Sequence, residues 1–299
     1  MSDLKIEKIH FVLNPKAGIR NASETFQELE DELIASGIQY TIFKSNAKGD
    51  IFNHIQSQDI PECDLICVMG GDGTIHETAN ALLQSKKADH LPMSVIPSGT
   101  GNAFAQTLGE LHPKKALKKI LLGEFIKIDA MEITHDSKIS YAVNIIGWGM
   151  ASRVNQISDQ LRILGGLRYN IASLIGIASM KKKQLILKMD GQQINEDVLF
   201  FLALNTVYTG KGMKMEPNAD FSDGLIDIIM FKNATKLEVL GIFLKLFSGN
   251  HIHDPKVTYK QVKGFSIETD EDELNVDGEN QGKTPIDVRI IKKCITLIK

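Results

Sequence analysis

The sequence predicts two domains in tandem. The first is an α/β domain with a parallel, doubly wound sheet over residues 1–127. The second is a β-rich, antiparallel, sandwich-like domain over residues 128–299, and a return of its last strand to the first domain is left open by the sequence. Three observations lead there. Continuous apolar strand signals alternate with helical signals through the first part, which argues for a parallel sheet covered on both faces. Strand signals then follow one another closely. Short turns such as Asp190-Gly191, a hairpin dipeptide, join several of them.

The first domain opens on the apolar run IHFVLNP (9–15). A helix follows from Asn21 to Gly37: Asn21 or Ser23 caps it, Phe26, Leu29, Leu33 and Ile34 form its stripe, and Gly37 stops it. IQYTIF (38–43) is a strand and DIFNHIQS a short helix. CDLICVMGG (63–71) is a buried strand running into glycines. IHETANALLQS is a helix, LPMSVIP a strand, and NAFAQTL and KKALKKILLG further helices. The second domain offers FIKIDAMEIT, ISYAVNII, QLILKMDG, VLFFLALNT, LIDIIMFK, VTYKQVKGFSIETD, DELNVDGE and PIDVRIIKK as strands. Helices interrupt them near 155–180 and 236–247.

Composition narrows the function. Lys plus Arg is 34 and Asp plus Glu is 37, a net charge of −3. That balance excludes the basic footprint of a nucleic-acid binder. Three cysteines, Cys63, Cys67 and Cys294, make no disulfide framework and point to a reducing, cytoplasmic setting. Cys63 and Cys67 flank an apolar strand and read as inert thiols. MSDLKIEK is charged and unlike a signal peptide, and no apolar stretch reaches the ~18 residues of a membrane span.

Chemistry concentrates in loops that follow strands. Gly70-Gly71-Asp72-Gly73-Thr74 ends the third strand, at the sheet edge where ligands of open parallel sheets bind. Its glycines admit close approach of a ligand, and the helix that follows aims its N-terminal amides and dipole at an anion. Pro97-Ser98-Gly99-Thr100-Gly101-Asn102 repeats these features after the next strand, and Asn14-Pro15-Lys16-Ala17-Gly18 ends the first. Three such loops on one edge form a nucleotide phosphate site. Gly282-Lys283-Thr284 resembles the tail of a P-loop, but Asp277 stands where its first glycine belongs and Pro285 follows, so it is a decoy. No G-x-G-x-x-G occurs. His251-x-His253-Asp254 has no partner cysteines or histidines nearby and reads as a polar loop.

These elements resemble the diacylglycerol kinase catalytic family, which includes bacterial lipid kinases, sphingosine kinases and ceramide kinases. The resemblance rests on NPxxG, GGDGT with His76-Glu77, and PSGTGN. It continues through Gly147-Trp148-Gly149-Met150, Leu164-Gly165-Gly166-Leu167-Arg168-Tyr169, Asp220-Phe221-Ser222-Asp223-Gly224-Leu225 and Asn275-Val276-Asp277-Gly278-Glu279, in the family's order. It implies transfer of the γ-phosphoryl of ATP to a lipid hydroxyl, with the active site in a cleft. Asn14, Pro15, Lys16, Ala17, Gly18, Ser45, Gly70, Gly71, Asp72, Gly73, Thr74, Ile75, His76 and Thr100 would hold the nucleotide. Glu279 matches the proton acceptor, with Asp277 beside it. Asp220, Asp223 and the Leu225 carbonyl match a Mg²⁺ site, and Asp72 is expected to face the Mg²⁺ carried by ATP.

Departures bear on the substrate. SGTGNAFA and GWGMASRV are closer to the sphingosine and ceramide kinase style than to bacterial diacylglycerol kinases. Yet Arg153 stands where sphingosine kinases place an acid. The expected acceptor is diacylglycerol or a sphingoid or ceramide-type lipid, reached by peripheral membrane contact. Lys114, Lys115, Lys118 and Lys119, Lys181 to Lys183, and the apolar helix Lys236–Phe247 supply basic and apolar surface for it. A homodimer is compatible with the chain. The alternatives are a kinase of a soluble substrate such as NAD, since NAD kinases share a GGDG loop, and a non-catalytic, nucleotide-responsive lipid binder.

Overall fold

The computed structural model describes residues 6–15, 21–57, 60–210, 212–232 and 234–299. The chain divides into two compact units: Met1–Ile128 with Lys293–Lys299, and Asp129–Lys292. Lys16, Ala17 and Gly18 of the first loop lie outside the described residues.

The first unit is wound as β1 (Lys8–Leu13), α1 (Ala22–Ser36), β2 (Gln39–Lys44), α2 (Asp50–Gln56), β3 (Leu65–Gly70), α3 (Asp72–Gln84), β4 (Met93–Pro97), α4 (Ala103–Thr107) and α5 (Pro113–Leu122). Its strands are parallel in the order β2-β1-β3-β4. Every residue of β3 is buried, as expected of a strand covered on both faces. Asn21 caps α1 by accepting the Ser23 amide at 2.9 Å. Gly37 ends it with φ +72°, a conformation costly for any residue with a Cβ. Phe11, Phe26, Leu29, Leu33, Leu117 and Ile120 form the core on one face of the sheet.

β5 (Phe125–His135) leads into the second unit. There follow β6 (Lys138–Ala142), β7 (Ile145–Gly149), α6 (Met150–Gln160), α7 (Arg168–Ala178), β8 (Lys183–Met189), β9 (Gln192–Leu204), β10 (Tyr208–Thr209), β11 (Met213–Lys214) and β12 (Ile226–Lys232). α8 (Lys236–Lys245), β13 (Val257–Val262), β14 (Gly264–Ile267), β15 (Glu273–Val276), β16 (Glu279–Lys283) and β17 (Ile286–Ile298) complete the chain. β17 begins in the second unit and ends in the first, where Leu297 and Ile298 pair in parallel with Met93 and Ser94 of β4.

The second unit is antiparallel. β9 is its long central strand: it pairs with β8 along its first half and with β7 and β12 along its second. One face of these strands packs Trp148, Phe201, Ile228, Leu187 and Phe265 into a closed core. The other face, with Leu199, Leu202 and Ile229, carries α6, α7 and α8. The stretch VTYKQVKGFSIETD, expected as one strand, is two. β13 pairs with β12 and β14 with β17, and the change falls at Gly264, where a Cβ would lie 2.7 Å from the Val288 carbonyl oxygen. Asp190-Gly191 forms the expected hairpin turn, with φ of +51° and +73°. The decoy behaves as one: Lys283 pairs with Glu271, and the buried Thr284 hydroxyl donates to the Asp270 carbonyl.

Two consequences are measurable. His10, 1% exposed, sits 2.8 Å from His54, and its pKa is lowered to about 4 by burial and then by the charge of His54. The pKa of His54 is also lowered, by burial and by Lys87. Both pKa values are depressed, so their contribution is present above about pH 6.5 and is lost as pH falls towards 4. His10→Asn should flatten that part of the stability–pH curve by roughly 2–3 kcal/mol, read by urea unfolding at fixed pH steps. Gly176 of α7 lies where a Cβ would be 2.6 Å from Val154 Cγ2 of α6. Gly176→Val should therefore cost about 1–3 kcal/mol, seen as a lowered urea midpoint with unchanged slope.

Candidate active-site loops

In the first unit the glycine loops are joined backbone to backbone. A Cβ on Gly99 would lie 2.4 Å from the Gly71 Cα, and one on Gly70 would lie 2.3 Å from Thr74 Oγ1. Those contacts exclude side chains, so the glycines serve close packing of two loops as well as room for a ligand. The Ser98 amide donates to the Gly70 carbonyl at 3.1 Å, adding a further tie. Asp72 completes the join. Its carboxylate accepts the Ala103 amide at 3.1 Å and the Phe104 amide at 3.0 Å, capping α4 from another loop.

The sequence reading assigned Asp72 to metal. In the structure both of its oxygens hold the start of α4, just after the PSGTGN loop, against GGDGT. Asn102, absent from the predicted set, shapes the same loop. It adopts φ +53°, accepts the Gly99 amide and donates to the Gly99 carbonyl, both at 2.9 Å. Its place directly after the last loop glycine was the available signal.

The other nucleotide candidates gather around α3. Asn14 Nδ2 donates to Thr74 Oγ1 at 3.3 Å, and the Asn14 amide donates to Met69 at 3.1 Å. Ser45 is buried, and both its amide and its hydroxyl donate to the Leu13 carbonyl, at 2.9 and 3.3 Å. Thr74, Ile75 and His76 are buried in the first turns of α3, whose N-terminus no side chain caps. Pro15, Gly73 and Thr100 stay partly exposed in their loops. Glu77 accepts the Phe52 amide at 2.9 Å and ties α3 to α2.

The second unit holds the remaining candidates. Asp277 and Gly278 have φ of +53° and +89° and form the two-residue turn between β15 and β16. Asp277 is 2% exposed, and its carboxylate accepts three successive amides: Val143 at 2.9 Å, Asn144 at 2.8 Å and Ile145 at 2.9 Å. Asp277, expected beside the proton acceptor, thus holds the start of β7. It fixes the turn that presents Glu279, which is half-exposed at the start of β16. Asn155 of α6 secures the same turn by donating to the Gly278 carbonyl at 2.7 Å and to Asn280 at 3.0 Å.

Asp220 and Asp223 are exposed, and each accepts the amide two residues on: Ser222 at 2.9 Å and Leu225 at 2.8 Å. Gly224, directly after Asp223 and at φ +78°, donates its amide to the buried Asp129 at 2.6 Å. Sequence reading missed Asp129. Its signal was an aspartate between apolar neighbours, Ile128 and Ala130, in the strand FIKIDAMEIT. Asp227 is 2% exposed and accepts from Tyr259 at 2.6 Å and Gln261 at 3.0 Å. Burial, and then the charges of Asp223 and Asp220, raise its pKa.

Among the described residues, no three His, Cys, Asp or Glu side chains gather as a metal group. Two exposed carboxylates and a carbonyl are nonetheless the hard, partial oxygen set that suits Mg²⁺, which keeps several waters. Arg153 is exposed on α6, and its Nε donates to Ser179 Oγ at 3.3 Å. His251 is fully buried, and its Nε2 donates to the Met215 carbonyl at 2.8 Å, which is a structural use. The Cys67 thiol is fully buried and its pKa is pushed up to about 12, so it is inert as expected. No helix among the described residues is long and apolar enough to cross a membrane.

These contacts make separable predictions. Gly99→Ala should abolish nucleotide affinity or cut it at least tenfold, because the methyl meets Gly71 backbone; isothermal titration with ATP reads it. Asp277→Asn replaces an oxygen facing amides with an NH₂ group and should lower stability by about 1–3 kcal/mol by thermal unfolding, whatever happens to turnover.

The comparisons agree with this geometry. The family model described as "Diacylglycerol kinase catalytic domain" matches residues 8–133, and that described as "YegS C-terminal NAD kinase beta sandwich-like domain" matches residues 144–299. The diacylglycerol kinase of Bacillus subtilis (strain 168) is 26% identical over 94% of this chain and 92% of its own. That of Staphylococcus aureus (strain JH9) is 29% identical over 93% and 88%. Sphingosine kinase 1 of Arabidopsis thaliana is 25% identical over 88% of this chain and 64% of its own. Among solved structures, a diacylglycerol kinase from Bacillus anthracis str. Sterne superposes with a TM-score of 0.82 at 25% identity, covering 98% of this chain and 97% of that one. With both halves matched in order, the chain belongs to the diacylglycerol kinase catalytic-domain family of kinases, in the form that carries a YegS-type β-sandwich.

Proposed function

We propose that this kinase transfers the γ-phosphoryl group of ATP to the hydroxyl of a membrane lipid of the diacylglycerol or sphingoid class, with Mg²⁺. The observation that carries the reading is the pair of glycine loops locked together at Gly71–Gly99 and by Asp72, at the carboxyl ends of β3 and β4. Helix N-termini and close-packed glycine backbone there suit a polyphosphate.

Phosphoryl transfer asks for alignment and charge neutralisation more than covalent help. Thr74, Asn14 and Ser45 supply hydroxyl and amide groups around the loops, and Thr100 adds a hydroxyl from the second loop. Glu279 accepts the proton of the attacking alcohol, and its turn is held by Asp277 and Asn155. Asp220, Asp223 and the Leu225 carbonyl would hold Mg²⁺, whose charge would offset that of the acids around Asp227. Asp72 acts on the loops, and through them on the nucleotide.

The acceptor assay presents diacylglycerol, monoacylglycerol, ceramide, sphingosine and undecaprenol separately in mixed micelles with γ-labelled ATP and Mg²⁺, and NAD in solution. Label in one lipid names the substrate. Label in NAD alone would replace the proposal with the soluble-substrate reading, which the NAD kinase likeness of the sandwich family favours. ATP binding with no label in any acceptor would point instead to a nucleotide-responsive lipid binder. Glu279→Gln should reduce turnover by about 10²–10⁴-fold with ATP affinity unchanged, and near-normal turnover would remove Glu279 as the base. Asp223→Ala should weaken the Mg²⁺ dependence of activity, and an unaltered Mg²⁺ titration would dismiss that metal assignment.

A further inference from the structure

The outer face of the second unit carries a cleft that the phosphoryl-transfer residues do not use. β8, β14 and β17 lie side by side, and β5 pairs with β17 beyond them. Their inner residues Leu187, Phe265 and Val288 enter the sandwich core. On the outer side the same strands line a cleft of about 290 Å³. Small-molecule sites start at roughly 300 Å³, so the cleft suits a ligand of a few atoms.

Strand register sets its walls. Ser266 of β14 lies opposite Lys188 on one side and Asp287 on the other. Gly264 lies opposite Arg289 and, one step past the Phe265–Met189 pair, level with Asp190 of the hairpin turn. Lys188, Asp190, Asp287 and Arg289 are all exposed and all line the cleft. Their charges alternate: Lys188 stands across Ser266 from Asp287, and Asp190 across Gly264 from Arg289.

Gly264 keeps the floor open. A Cβ there would lie 2.7 Å from the Val288 carbonyl oxygen, so no side chain stands between Asp190 and Arg289. Neighbouring strands are about 4.8 Å apart, which separates those two walls by roughly 10 Å at the backbone. The two side chains and a short ligand fill that span.

The other two charges are already engaged. Lys188 pairs with Glu268, and the Ser266 hydroxyl donates to Asp287. Arg289 gives its Nε to Glu132 at 2.7 Å, yet its side chain is 69% exposed, which leaves its terminal nitrogens to solvent. Asp190 has no hydrogen bond or ion pair among the described residues. The groups with unused capacity therefore carry opposite charge. A plain anion drawn to Arg289 meets Asp190, and a plain cation drawn to Asp190 meets Arg289. A molecule that carries both charges satisfies both walls.

We propose that this cleft binds a small zwitterion, in which Asp190 takes a primary ammonium and the Arg289 fork takes a phosphate or carboxylate on a short carbon link. The site is independent of which acceptor the kinase phosphorylates.

Isothermal titration of the full chain with phosphoethanolamine reads the site, with a non-hydrolysable ATP analogue and Mg²⁺ present to occupy the nucleotide loops. γ-Aminobutyrate is the carboxylate counterpart, and ethanolamine and inorganic phosphate supply each charge alone. One of the two zwitterions should bind at least about tenfold more tightly than either single-charge probe. Asp190→Asn should weaken that binding at least about tenfold, and asparagine tolerates the positive φ of the turn. Arg289→Lys keeps a cation beside the buried Glu132 and should weaken it about threefold or more, because the fork is lost. Affinity for ATP should stay unchanged in both variants. Micelles of short-chain phosphatidylethanolamine name the source of the ligand: displacement of phosphoethanolamine supports a lipid headgroup, and retention supports a soluble zwitterion. Absence of binding by both zwitterions would overturn the site. So would binding that Asp190→Asn leaves intact, or ethanolamine or phosphate alone binding as tightly as the zwitterion.

Discussion

A backbone amide at the end of a strand must find an acceptor, and where no carbonyl reaches it the acceptor has to come from elsewhere in the chain. The site loops of this protein depend on that constraint. Val143, Asn144 and Ile145 find theirs in Asp277, and Ala103 and Phe104 find theirs in Asp72. Gly224 finds Asp129. Each carboxylate reaches across a large sequence separation to fix a loop that also carries residues of the predicted site. The charge does not repel itself, because amide dipoles surround it and hydrogen bonds to an ionised acceptor are the stronger kind.

Much of the fold was legible before any coordinate. The parallel half follows from continuous apolar strands alternating with capped helices, and the antiparallel half from closely spaced strands and hairpin dipeptides. The glycine loops were legible as well, since three glycines in four residues at a strand end have few other uses. Roles within the loops were not. Asp72 and Asp277 sit in motifs that look chemical, and nothing local shows that their partners lie at Ala103 and Val143. A carboxylate's partner is set by tertiary neighbours, whereas a turn's glycine is set by its own dihedral angles. Gly264 is the converse case. A glycine in a strand pattern marks a close approach, but only the structure names the Val288 carbonyl that approaches it.

The departures that bear on substrate also look different in three dimensions. Arg153 stands where the resemblance to sphingosine kinases led the sequence reading to expect an acid. Here its guanidinium donates to Ser179 at the end of α7, whose hydroxyl in turn donates to the Ile175 carbonyl. The arginine therefore contributes to fastening α6 to the end of α7, and this use is independent of headgroup charge.

Hydrogen-bond accounting separates positioning from chemistry more sharply than motif membership does. A buried carboxylate that holds three amides, as Asp277 does, is fixed in orientation by them, and each amide left without an acceptor would cost about 1–3 kcal/mol. Asp129 and Asp277 are buried, whereas Asp72 is partly exposed and holds the two amides that start α4. Solvent also reaches Glu279 beside its held turn, and Asp220 and Asp223 on theirs. One turn is held by Asp277, two residues before Glu279, and the other by Asp129, which accepts the amide of Gly224 directly after Asp223. In both cases a buried acid holds a turn that carries a more exposed one.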